Sequence, residues 1–193
     1  HAIVANYGAN PERNGKNIAQ INREVGREAT VDNEVETILE MIAKGGAQMV
    51  YHSMGMEDVE RILQYPNTAI ASDGGIREFG SGMPHPRSYG TNARVLAEFV
   101  RKRGTLTLED AVRRMTSLPA RTFRFADRGL VREGFAADLL VFDPEKVRDL
   151  STYQDPHHYT EGFDYVLVNG TAVVSEGKLN EVRPGRVLRH RTE

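Results

Sequence analysis

The stretch NTAIASDGGIREFGSGMPHPRSYG, residues 67–90, decides how the chain is read. Its apolar run, residues 68–71, predicts a short buried strand that ends in Ser72-Asp73-Gly74-Gly75. A polar loop rich in Gly and Pro follows, carrying His85-Pro86-Arg87 and Tyr89. Packing gives no reason for a core strand to end in a carboxylate and two glycines, followed by an imidazole and a guanidinium. A parallel α/β barrel gives one, because its reactive groups project from the C-terminal ends of strands, where the loops form the pocket.

The flanking sequence supports alternating elements. Residues 2–6 predict a strand, closed by Gly8 and the turn former Asn10-Pro11. Ile18, Ile21 and Val25 recur at helical spacing, with Gly26 as a stop. Asp32 is a candidate cap for a helix over 33–44, whose apolar stripe is Val35, Ile38, Leu39 and Ile42. Residues 48–52 predict a strand, 56–63 a helix stopped by Pro66, and 91–103 and 108–115 two more helices. The last of these opens on Thr107 and two acidic residues. A short helix is expected over 119–123. Strand, helix, strand, helix in this order predicts parallel strands with right-handed crossovers.

The texture changes near residue 126. One strong strand is predicted over 137–142, and runs 163–168 and 171–174 flank Asn169-Gly170, the strongest short-range hairpin signal. The tail, 183–190, is a candidate for one more strand. The first two-thirds therefore read as α/β and the last third as a small β module. The opening HAIVANYG reads as a strand already under way, as in a piece of a longer protein.

Composition bounds the function. With 39% hydrophobic and 27% charged residues among 193, the balance is that of an ordinary globular chain. A net charge of −2 argues against nucleic acid or an anionic membrane as the main partner. There is no Cys, so neither disulfides nor thiolate ligands are available. No apolar run approaches the ~18 residues of a membrane span, and a cytoplasmic address is the default.

Taken one at a time, the loop residues keep two readings each. Asp73 is either a rim carboxylate that moves protons or binds metal, or a turn or helix cap. Arg87 is either a fork for a carboxylate or a structural clamp on carbonyls. His85 is a ligand, a proton carrier or a loop brace; a lone loop His is more often the brace. His157 and His158 tempt a metal reading, but neighbours on an extended segment face opposite ways and read better as braces. His52 and His190 have no motif, and His1 is not promoted to a ligand.

The segments SMGMEDVERILQYPNTAIASDGG, HPRSYGTNARVLAEFVR, LTLEDAVRRMTSLPARTFRFADRGLVREGFAADLLVFDP and DPHHYTEGFDYVLVNGTAVVSEGK, in this order, resemble the C-terminal part of an N-acyl-D-amino-acid deacylase of the amidohydrolase superfamily. GxxADLLVFDP and VNGxxVxxxG are class signals. Ser72-Asp73-Gly74 followed by His85-Pro86-Arg87 and Tyr89-Gly90-Thr91 is narrower.

The resemblance implies an α/β fold in which residues 1–125 are the C-terminal strands and helices of a TIM-like barrel and 126–193 part of a small β-sandwich. It implies a zinc-dependent hydrolysis of N-acyl-D-amino acids to a carboxylate and a D-amino acid. It implies that Asp73 shuttles the proton and weakly touches a second metal. It implies that Arg87 binds the substrate carboxylate and that Met54 lines the acyl or side-chain pocket; on its own, Met54 reads equally as core. The family's main metal ligands would precede residue 1, so this chain by itself is expected to be metal-free and inactive. Its partners would be the small-molecule substrate and the N-terminal remainder, with homo-oligomerisation left open. Two other readings stand beside this one: a dihydroorotase- or hydantoinase-like cyclic amidohydrolase, and a non-catalytic module that binds a small acid or a partner.

Overall fold

The structure is a computed structural model that describes residues 2–76 and 78–189. It divides into two compact units, neither of them a single sequence segment. The first comprises His1–Gly55, Asp73–Tyr89 and Ser151–His158; the second comprises Met56–Ser72, Gly90–Leu150 and Tyr159–Glu193. His1 and His190 lie outside the described residues.

In the first unit, β1 (Ala2–Asn6) pairs with β2 (Gln48–Tyr51), joined through α1 (Ile18–Glu24) and α2 (Val31–Ala43). The pairing is antiparallel, with Val4 opposite Met49, which corrects the expected parallel crossover. A parallel crossover returns along a single helical leg. Here two helices intervene, and the chain reverses direction once more before β2.

Asn17 and Gln20 form a reciprocal capping box that starts α1. The α2 cap is Thr30, whose hydroxyl accepts from the Asn33 amide, two residues ahead of the expected Asp32. Val4, Tyr7, Ile18, Ile21 and Met41 form the core of this unit. Each such burial contributes about 1.5–3 kcal/mol.

The stripe predicted to bury α2 does the opposite. Val35, Ile38, Leu39 and Ile42 are exposed, whereas Thr37 and Met41 are buried. At 100° per residue, Thr37 and Met41 lie on one side of the helix and the stripe on the other. The packed side is fixed by polar grips as well as by Met41: Thr37 bonds to buried Asn22 and accepts from Arg27.

In the second unit, α3 (Met56–Gln64), the C-terminal part of α4 (Arg87–Arg94) with its π-helical continuation Val95–Lys102, and α5 (Leu108–Met115) enclose a core of Leu63, Ala93, Leu96, Phe99, Leu106 and Ala111. The short α6 is Ser117–Thr122. Residues 68–71 form no strand and are only half-buried at best. They find no strand partner here; instead Ile70 donates to the Arg114 carbonyl at 3.1 Å. Buried Arg114 also holds the approach to this run, bonding the Tyr65 carbonyl at 2.6 Å while pairing with Asp110 at 2.7 Å.

A four-stranded antiparallel sheet completes the second unit, in the order β3 (Leu139–Phe142), β4 (Phe163–Val168), β5 (Thr171–Ser175) and β6 (Lys178–Leu179). The β4–β5 turn is Asn169-Gly170, with φ of 49° and 79°, the primed turn that suits a two-residue hairpin. The expected tail strand is absent from the described residues 183–189; the sheet ends on β6 instead. Both sheets are small, and no closed barrel forms among the described residues. No helix among them is long and apolar enough to cross a membrane.

The two class motifs in this half meet at one point. The Asp138 carboxylate accepts the Asn169 amide at 2.8 Å and pairs with Arg128, which also bonds the Asn169 side chain at 2.8 Å. Burial pushes the Asp138 carboxyl up, but the Asn169 and Arg128 bonds outweigh it and leave it below the usual carboxylate value. A lowered folded-state value contributes stability above the unfolded value, and that stability disappears as pH falls through the folded one. Asp138→Asn should therefore destabilise the chain at pH 7, with the gap to the parent closing below about pH 4. Urea midpoints at pH 7 and pH 3 test this; an equal gap at both would refute it.

Candidate functional site

Asp73 sits in the left-handed region, φ 48°, a conformation costly for most residues other than Gly and better tolerated by Asp. Here it is also gripped from outside. Arg87 is the holder. Its Nη2 stands 2.9 Å from Asp73 Oδ2, and its Nε donates to the Asp73 carbonyl at 3.0 Å. The planar fork thus takes the carboxylate and the backbone of the same residue together.

Gly74 makes this approach sterically feasible. A Cβ there would lie 2.8 Å from Ser88 Cα and 2.9 Å from the Arg87 carbonyl, so only glycine lets the two backbones touch. What fills the space beside Gly74 is the first turn of α4.

That turn starts earlier than the apolar pattern suggests. The predicted helix over 91–103 begins at Arg87, which moves Arg87 and Tyr89 out of the loop and onto α4. Pro86 stands just ahead of it, where a missing amide proton is harmless. His85 Nδ1 accepts the Arg87 amide at 3.0 Å, a capping contact from an imidazole. The His85 proton therefore resides on Nε2, which faces the Tyr153 hydroxyl at 3.3 Å. Tyr153 lies between two imidazoles, with ring centroids 5.0 Å from His85 and 4.6 Å from His52.

His157 holds the other side of the loop. Its Nδ1 receives the Gly80 amide at 3.1 Å and the Tyr89 hydroxyl at 2.8 Å, so Nε2 carries the proton and donates to the Gly82 carbonyl at 2.9 Å. Gly82, at φ 67°, lies against β1: a Cβ would meet the Ala5 carbonyl at 2.9 Å, and the next amide, Met83, donates to that same oxygen. His158 instead pairs with Asp155 at 2.7 Å. Both histidines brace, as their adjacency suggested.

Met54 is exposed in the stretch after β2, which removes the reading of it as core. Among the described residues no group of three or more His, Cys, Asp or Glu side chains could hold a metal ion. Asp73 is a lone carboxylate in this respect, so a complete zinc site does not fit these residues. Tyr153 and His52 had no role in the sequence reading: neither lies in a motif, and they come to notice only through the contacts of Tyr153 with His85 and His52.

Residues 2–174 match the amidohydrolase family. The chain belongs to that family. The resemblance to N-acyl-D-amino-acid deacylases holds within it. This amidohydrolase chain is 37% identical over 178 residues to an N-acyl-D-aspartate deacylase and 39% identical over 179 residues to an N-acyl-D-glutamate deacylase, both of Alcaligenes xylosoxydans xylosoxydans. The alignments cover 92% and 93% of this chain but 34% of each relative, so it spans about a third of their length.

Two solved structures share the fold. A D-aminoacylase described as defining a novel subset of amidohydrolases superposes with a TM-score of 0.83 at 35% identity, covering 94% of this chain and 36% of that one. An N-acyl-D-glutamate deacylase of Bordetella bronchiseptica, complexed with zinc and a phosphonate mimic of the tetrahedral intermediate, gives 0.83 at 36% identity, covering 97% and 37%.

The contact at Gly74 generates a direct test. Gly74→Ala should force Asp73 and Arg87 apart and destabilise the chain by about 1–3 kcal/mol, by overpacking against backbone. Denaturation of the variant measures it, and a loss under about 0.5 kcal/mol would contradict the contact.

Proposed function

We propose that the protein of which this chain forms about a third hydrolyses the amide of N-acyl-D-amino acids, in the cytoplasm, releasing a carboxylate and a D-amino acid. The observation that carries the reading is the side-by-side placement of Asp73 and Arg87. One supplies a carboxylate for proton transfer and the other a guanidinium for a substrate acid. In this proposal Asp73 takes a proton from the attacking water and delivers it to the leaving nitrogen. Arg87 grips the substrate α-carboxylate and so fixes which end of the molecule meets Asp73. Met54, exposed and flexible, lines the acyl or side-chain pocket.

The Asp73–Arg87 pair does not obstruct this. Both side chains are well exposed, 87% and 43%, so the pair is worth about 1 kcal/mol or less. A substrate carboxylate can replace the Asp73 carboxylate at Nη2 while Nε keeps the Asp73 carbonyl.

Zinc belongs to the proposal because a solved relative is complexed with it. Its main ligands would come from the remainder of the protein, with Asp73 at most a weak contact to a second ion. The same proposal divides the chain at 125/126 into barrel and β-module portions. The confinement of the four-stranded sheet to residues 139–179 supports that division. The relatives, named for linear N-acyl-D-amino acids, favour this reading over a cyclic amidohydrolase.

In the whole protein, Asp73→Asn should lower kcat by about 10²-fold or more with the fold intact, and Arg87→Ala should raise KM with kcat nearly unchanged. Release of D-amino acid from N-acetyl-D-amino acids measures both, with hydantoin as the cyclic control. Normal turnover in Asp73→Asn, or hydantoin as the better substrate, would overturn the proposal.

A further inference from the structure

We propose that the segment Ser151–His158 is a positioning element for Arg87, acting through Tyr153 on His85 and through His157 on Tyr89 and the Gly80–Gly82 turn. This rests on the reading above, in which Arg87 grips the substrate acid, and deepens it.

The segment is stiff enough to position something. Thr152 and Asp155 bond each other reciprocally, amide to carbonyl at 3.0 Å and amide to hydroxyl at 2.9 Å. The Ser151 hydroxyl donates to the His158 carbonyl at 3.0 Å, and Pro156 is fully buried. A short segment tied at both ends and in its middle has little freedom left to lose when it holds a neighbour.

Its outward contacts converge on Arg87. Tyr153 meets His85, two residues before Arg87, and His85 in turn takes the Arg87 amide. His157 meets Tyr89, two residues after Arg87. The same imidazole binds an amide and a carbonyl of the loop between Asp73 and Arg87, at Gly80 and Gly82. Phe79 packs on this point, with ring centroids 6.1 Å from Tyr89 and 5.6 Å from His157. Both nitrogens of His157 are spent on these bonds, which suits a fixed neutral brace and leaves no lone pair for a metal.

A guanidinium used to orient a substrate gains its value from being placed in advance. Residues 74–76 and 78–86 form no helix or strand, so the first turn of α4, which carries Arg87, has no regular element just ahead of it to restrain it. The segment Ser151–His158 supplies that restraint from a distant part of the sequence.

The test uses the whole protein with Tyr153→Phe, His157→Phe and Tyr89→Phe, each keeping a ring and losing polar atoms. Substrates are an N-acetyl-D-amino acid and its α-amide, which lacks the carboxylate. For the acid, KM should rise about five- to tenfold per lost contact with kcat nearly constant, while kcat/KM for the amide stays put. His157→Gln, which keeps a donor and an acceptor, should recover part of the loss.

Equal losses on acid and amide, or an unchanged KM, would overturn the inference. Backbone hydrogen exchange provides a readout independent of turnover: residues 78–90 should exchange faster in His157→Phe at unchanged Tm. Unchanged exchange there defeats the positioning role even if the parent enzyme is inactive. An inactive parent with faster exchange in the variant supports the brace and defeats only the function proposed above.

Discussion

The candidate site depends on one close approach, the backbone of Gly74 against that of Arg87 and Ser88. Everything chemical nearby follows from it. With no side chain at residue 74, Asp73 can lie beside the first turn of α4, and Arg87 can reach its carbonyl and its carboxylate at once. Any larger residue would push Ser88 away by several tenths of an ångström. The ion pair itself is too exposed to organise anything. Steric permission, rather than electrostatic attraction, brings the two groups together.

Local chemistry was legible in the sequence wherever one residue type has one strong preference. Asn169-Gly170 demanded a primed hairpin turn, and the strands on either side followed. Thr107 followed by acidic residues marked the start of α5. Both helices between β1 and β2 were legible, but the parallel direction expected did not follow from them: two helical legs rather than one return the chain antiparallel. Helix facing was not legible. The apolar stripe Val35, Ile38, Leu39 and Ile42 is a clear pattern, yet α2 is seated by Thr37, Met41 and the Asn22–Arg27 contacts. Periodicity reports which side of a helix is apolar, not what is present to cover it.

The same division runs through the site. Asp73, Arg87 and the glycines after Asp73 stood out because the sequence alone offers no packing rationale for their types and order; the close approach at Gly74 is visible only in the fold. The start of α4 at Arg87 escaped, since its cap is an imidazole rather than one of the usual short polar side chains. Tyr153 and His52 escaped because their roles exist only through partners far away in sequence. His157 could be narrowed to a brace from its neighbour His158, but what it braces is a long-range fact.

Arg87 carries one further constraint that charge alone would not impose. A lysine at this position could place its ammonium near the Asp73 carboxylate, and the net charge would be the same. It could not also present a second, rigidly offset N–H to the Asp73 carbonyl, because a point charge has no fork. The carbonyl contact bears on the backbone, and the Asp73 backbone is what stands in the left-handed region. Restraining φ at 48° therefore falls to the Nε bond, while the Nη2 contact to the carboxylate is the exchangeable one. A single side chain can then hold the Asp73 main chain in place and still release its carboxylate to a competing acid. That separation of duties is what makes an exposed, individually weak ion pair usable at a reactive site.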